Sequence, residues 1–188
     1  MVAVDMLPDA LYHYYEHSRG PFRNLSDLPL AEAEAVLANL RRRQDSFASQ
    51  RGADYITMRR ELESRVRERF IAKGGRPLRE CPHSLTLGAC AWVKSWYTFG
   101  SELRIPLAQF SAEQVSFTYG DLFPAMRYGD GKPYRRQVYT LAELPGLIAT
   151  YGLPQVWNAD GRHGPDRYIE AQIWDDAPLA AYRASLSR

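Results

Sequence analysis

Apolar and polar positions alternate most cleanly near the end of the chain, over Arg167-Tyr168-Ile169-Glu170-Ala171-Gln172-Ile173-Trp174. A period of two predicts a strand, with Ile169, Ala171 and Ile173 on a core face. Tyr168, Glu170, Gln172 and Trp174 share the other face. That row sets a carboxylate and an amide between two large aromatics, which suits the wall of a cleft for a flat polar ligand. The same pattern also fits an edge strand with one wet face.

Patterning elsewhere supplies the remaining elements. Leu11-Tyr12-His13-Tyr14-Tyr15 is rich in strand-favouring tyrosine and leads into a Ser18-Arg19-Gly20-Pro21 turn. Ser26-Asp27-Leu28-Pro29 reads as a helix start, followed by the stripe Ala33, Val36, Leu37 and Leu40. Met58, Leu62, Val66 and Phe70 recur every fourth residue and predict a helix from about Asp54 to Ala72, closed by Lys73-Gly74-Gly75. Its Glu61–Arg65 and Glu63–Arg67 pairs stand in the stabilising order. The aromatic run from Ala89 to Phe99 reads as a core helix or strand pair. Short strands are expected at 103–107, 114–118 and Arg135–Tyr139, with turns at Tyr119-Gly120-Asp121 and Gly129–Lys132. Thr140-Leu141-Ala142-Glu143 is a capping box opening a short helix that ends near Gly152. Helices precede antiparallel-style strands, so the 188 residues are expected to form one α+β domain.

Composition supports a real core, with 45% hydrophobic and 12% aromatic residues. Net charge is only +2, but 12 Lys/Arg against 6 Asp/Glu lie between Arg41 and Glu80. A basic face at 41–79 suits DNA, RNA or phosphate, whereas its commoner use is a solvated helix surface with internal ion pairs. Met1–Asp5 lacks a charged-then-apolar leader and no stretch spans a membrane, so a cytoplasmic, membrane-free protein is expected.

Three local clusters invite chemistry. His13-Tyr14-Tyr15-Glu16-His17 fits the H-x-x-E-H zinc-hydrolase pattern if helical, although its tyrosines favour a strand. Cys81, His83 and Cys90 match no familiar zinc spacing, so the cysteines read as small buried thiols and His83 as a loop residue. Arg19 and Arg23 flank a helix entrance together with Asn24, where backbone N–H groups attract anions such as a pyrophosphate.

Val115-Ser116-Phe117-Thr118-Tyr119-Gly120-Asp121, Leu141-Ala142-Glu143-Leu144, and Arg167 to Ile173 with Pro178 resemble the second half of the DarT-like ADP-ribosyltransferases. Tyr12-His13-Tyr14 followed by Asn24-Leu25 and an Ala/Leu helix resembles the opening of that superfamily, while Gln44 to Pro82 matches nothing in it. The resemblance implies a split antiparallel sheet with N-terminal helices, and mono-ADP-ribosyl transfer from NAD to a nucleic-acid base or protein side chain. It implies Glu170 as the catalytic carboxylate, His13 on the adenosine ribose, and Asn24, Arg19 and Arg23 at the pyrophosphate. Tyr168 and Trp174 would stack on a base or on nicotinamide. The Glu170 strand should lie beside the His13 strand, both opening into one cleft. Tyr168 stands two residues before Glu170 where arginine-modifying members carry Glu or Gln, which leaves the target open. The rival class is a non-catalytic nucleic-acid- or partner-binding module.

Overall fold

The computed structural model describes residues 7–44 and 47–185, so the start Met1–Asp5 lies outside the described residues. Five antiparallel strands form one sheet in the order β3-β1-β2-β5-β4. These are β1 (Ala10–Glu16), β2 (His83–Leu87), β3 (Gly100–Pro106), β4 (Val115–Tyr119) and β5 (Ile169–Ile173). The α+β expectation is met. The strand placed beside Glu170 differs from expectation: β2 lies between β1 and β5. His83 therefore belongs to a strand rather than a loop, because His83, Leu85 and Leu87 alternate onto a buried face. Arg135–Tyr139 is not a strand. Only Tyr139 bridges Phe117, while Arg136 turns at φ +59° and Arg135 dives into a buried ion cluster.

The strands do not form a uniform sheet. β1 pairs β2 only at Leu11↔Leu87 and Tyr12↔Thr86. Beyond Tyr12, β1 stays with β3 as far as Glu16↔Gly100, and β2 stays with β5 back to His83↔Ile173. A fork thus opens between β1 and β2 inside one continuous sheet, rather than two separate sheets. Phe22 packs its ring on His13 beside this fork, with centroids 4.4 Å apart.

Helices cover both faces. On one side α5 (Leu144–Tyr151) sets Leu144, Leu147 and Ile148 against Leu85, Phe117, Ile169, Ala171 and Ile173. On the other, α2 (Tyr55–Ala72) packs Leu62, Val66 and Phe70 with Trp174 and with Leu122 and Met126 of α4 (Leu122–Arg127). Strand β5 is consequently buried throughout. Its polar face is not one long cleft wall. Gln172 faces Ser84 and Ser116, bonding Ser116 and Thr118, and Trp174 is 0% exposed and stacked near Phe70. Burial of that size makes Trp174 a core residue, worth about 3–5 kcal/mol against truncation to Ala.

The N-terminal helix α1 (Leu30–Arg43) buries Ala33, Leu37 and Leu40. Its start differs from the expected cap: Pro29 precedes it without a side-chain cap, and Asn24 instead caps the short 3-10 turn at Leu25–Asp27. The helix closing at Gly152 begins with the expected Thr140–Glu143 capping box. The aromatic run 89–99 holds only a short helix, α3 (Ala91–Lys94), whose Val93 packs beside Tyr14, Cys90 and Tyr168. No described helix is long and apolar enough to cross a membrane.

Candidate active site

Register places Thr86, Glu170 and Thr118 side by side across β2, β5 and β4, with Tyr12 of β1 next in the row. Glu170 is 2% exposed. Its Oε1 accepts from Ser84 Oγ at 2.9 Å and more weakly from Gln172 Nε2 at 3.4 Å. Its Oε2 accepts from the Leu122 backbone N–H at 3.1 Å. Both oxygens are therefore fixed by groups on three different elements.

Leu122 is delivered by the Gly120-Asp121 turn. Gly120 sits at φ +100°, and a Cβ there would lie 2.8 Å from Asp166 Oδ1, so glycine is needed for conformation and for space. Asp166 is wholly buried and accepts from Lys132 Nζ, the Tyr134 hydroxyl and the Arg135 guanidinium. This satisfied cluster anchors the turn and makes no direct hydrogen bond to Glu170.

Asp121 follows. Its Oδ1 accepts from Phe123 N–H at 2.9 Å and its Oδ2 from the Tyr168 hydroxyl at 2.9 Å. Arg59 of α2 approaches from the other side, donating to Glu63 Oε1 at 2.7 Å and to Asn24 Oδ1 at 3.2 Å. Burial opposes the Arg59 charge, but Tyr55, Glu63 and Glu170 outweigh it and hold the guanidinium protonated. Burial, and then the charge of Asp121, pushes Glu170 up to about 7, against the opposing pull of Leu122 N–H, Ser84 and Arg59. The site thus keeps a carboxyl that exchanges its proton near neutrality.

These groups line a cavity of about 150 Å³ walled by Tyr12, Tyr14, Trp96 and Tyr97 and bordered by Arg23, Arg51, Tyr55 and Phe123. His13 also lines it. Phe22 N–H donates to His13 Nε2 at 2.9 Å, which leaves the proton of the neutral ring on Nδ1. Burial, followed by the charge on His83, lowers His13 to about 3. Its Nδ1 closes no well-formed hydrogen bond, although the Ser84 backbone favours a protonated ring. Trp96 Nε1, also on the cavity wall, is buried and has no hydrogen-bond partner among the described residues. The cavity therefore carries two N–H donors suited to hydroxyl or carbonyl oxygens.

No family model, curated protein or solved structure matches the chain.

Of the residues expected at the site, Glu170, His13, Asn24, Arg23 and Tyr168 border this one cavity. Asn24 is engaged by its own chain, accepting from Ser26 N–H and Arg59 and donating to the Pro82 carbonyl. Arg19 is exposed and lies off the cavity, its carbonyl accepting from Arg23 Nε. Trp174 is removed from the cavity by α2. The H-x-x-E-H reading fails on conformation. His13 and Glu16 lie on a strand, so His13 and His17 are roughly 13 Å apart rather than one helical turn. No group of three potential metal ligands is found among the described residues.

Sequence reasoning missed Arg59, Ser84 and Asp121. Glu63 was expected to pair with Arg67, but it faces inward, 1% exposed, and takes Arg59. Arg67 instead donates to the Arg79 and Pro77 carbonyls. Arg60 holds the Leu28 carbonyl, and Arg79 holds Asp27 and Asp176. Much of the expected basic face thus braces its own chain, while Arg65 remains half exposed in its expected pair with Glu61. The buried-thiol reading holds for Cys90, whereas Cys81 is only partly buried; burial, then the charge of Glu63, pushes the Cys81 thiol up to about 11.

Proposed function

We propose that this cavity binds NAD and that the protein is a mono-ADP-ribosyltransferase, moving ADP-ribose from NAD to a nucleic-acid base or protein side chain. The observation that carries this reading is Glu170: a buried carboxylate, fixed at both oxygens, set among aromatic rings and adjoining a fork in the sheet. Cleavage of the bond between nicotinamide and ribose develops positive charge on the sugar, as in glycoside cleavage. Glu170 supplies the opposite charge in a site already arranged to receive it. Its proton affinity near neutrality suits this role, because developing positive charge draws the carboxyl into its ionised form.

The surrounding residues fit the other parts of the molecule. Tyr12, Tyr14 and Tyr97 offer rings for stacking. His13 Nδ1–H and Trp96 Nε1–H offer donors to ribose hydroxyls or the carboxamide oxygen. Arg23 and Arg51 border the cavity and place positive charge where a pyrophosphate would emerge. At about 150 Å³ the cavity is smaller than the roughly 300–1,000 Å³ usual for ligand sites, so it encloses the nicotinamide end and leaves the rest to the fork and the mouth. The inward-turned arginines 59, 60, 67 and 79 weigh against a module built solely to grip nucleic acid.

Titration with NAD, followed by calorimetry and by tryptophan fluorescence, tests this reading. NAD should bind, and the fluorescence response should be lost in Trp96→Phe. Glu170→Gln should bind NAD about as well as wild type, since the carboxylate acts on the transition state. Wild type that gives no heat and no fluorescence change with NAD removes the reading.

A further inference from the structure

Two carboxylates share this cavity, and their surroundings divide their work. Both oxygens of Glu170 already accept hydrogen bonds, from Ser84 and from the Leu122 N–H. Such a group is held in place to meet positive charge as it develops on the sugar. Asp121 is arranged differently. Phe123 N–H holds its Oδ1, and that leaves Oδ2 directed at the Tyr168 hydroxyl, 2.9 Å away. Tyr168 stands two residues before Glu170, so it projects from the same face, and both residues line the cavity. The ring is 4% exposed and clamped among Tyr14, Cys90 and Val93. Its single hydroxyl proton points to Asp121, and its lone pairs remain to accept from a bound molecule. A second carboxylate beside Glu170 is electrostatically unfavourable, an arrangement that gathers at functional sites.

Resting on the ADP-ribosyl reading, we propose that Tyr168 and Asp121 form a relay that takes the proton from the acceptor. The acceptor's N–H or O–H lone pair forms the new bond to the ribose carbon. The bond from that carbon to nicotinamide breaks, and its electron pair stays on the ring nitrogen. The acceptor proton passes to the Tyr168 oxygen as the Tyr168 proton passes to Asp121 Oδ2. Nothing is oxidised or reduced. Glu170 serves the breaking bond, and the relay serves the forming one, a division seen where paired carboxyls occupy unlike environments.

Azide separates the two roles, because it attacks without a proton to lose, whereas water must be deprotonated. The experiment follows nicotinamide release from NAD by wild type, Asp121→Asn and Tyr168→Phe, in buffer alone and with sodium azide. Both variants keep the local shape: Asn can still accept from Phe123 N–H, and Phe keeps the packed ring. In buffer, each variant should release nicotinamide about 100- to 10,000-fold more slowly than wild type, the usual range for a lost acid–base group. Azide should restore the rate and yield ADP-ribosyl azide. Glu170→Gln should not be restored. Variants that bind NAD yet match wild type in water, or stay slow with azide, overturn the relay. Wild type that releases no nicotinamide with either nucleophile overturns the ADP-ribosyl reading itself, and so is distinguishable from failure of the relay alone. Should Asp121→Asn fail to fold, Tyr168→Phe decides the question.

Discussion

Replacing Glu170 by Gln should stabilise the protein at pH 8 and much less at pH 5. The folded protein holds the Glu170 proton more tightly than the unfolded chain does, with its pKa moved from 4.5 to about 7 by burial and by Asp121. The stabilising contribution of that proton is complete below pH 4.5 and is lost as pH rises through about 7. At about 1.4 kcal/mol for each tenfold change in proton affinity, the loss amounts to about 3 kcal/mol. Solvent screening takes little from this figure, since Glu170 is 2% exposed. Gln has nearly the same shape and no charge to bury. Its carbonyl can accept from Leu122 N–H, and Ser84 can rotate to accept from its amide. The weak contact from Gln172 is lost, which trims the gain slightly. Urea unfolding followed by tryptophan fluorescence at both pH values measures the difference directly. Most of the gap between mutant and wild type should open between pH 5 and pH 8. A mutant whose relative stability is the same at both values would refute the argument that the site strains its carboxylate.

Gly120→Ala should destabilise by about 2–4 kcal/mol, combining backbone strain at positive φ with displacement of the Asp166 cluster. Gly131→Ala, at φ +77° with nothing within 4 Å, should show the strain alone. Thermal melts of the two side by side test the Asp166 contact, and equal losses would dismiss it. Arg59→Met should lower stability by about 3–5 kcal/mol, because it strands the buried charge of Glu63. Adding Glu63→Gln should recover part of the loss in denaturant titrations, and no recovery would place the effect of Arg59 elsewhere.

The parts of the fold that were legible in the sequence are those whose patterning is local. β1, β4 and β5 announce themselves by β-branched and aromatic residues, and α2 by its four-residue repeat. Short β2 carries a histidine, a serine and a threonine in five residues, and only its pairing with both β1 and β5 makes it a strand. Arg135 reads as part of a strand until Asp130 and Asp166 draw it inward, a tertiary effect with no local signal. At the site, Glu170 and His13 were visible because a polar residue among aromatics is conspicuous. Trp174 shared that pattern, but α2 covers it. Arg59 and Asp121 were hidden for the opposite reason, as ordinary charges on a helix and in a turn. Only the packing of α2 and α4 over the polar face of β5 brings them to Glu170.

The most direct test is to incubate wild type and Glu170→Gln with NAD and measure free nicotinamide. Wild type should release it, and the variant should do so about 100- to 1000-fold more slowly, the usual consequence of losing a preorganised electrostatic group. The variant should remain folded and should bind NAD. Wild type that leaves NAD intact, or a variant that matches it, would contradict the central claim that Glu170 drives cleavage of the nicotinamide–ribose bond.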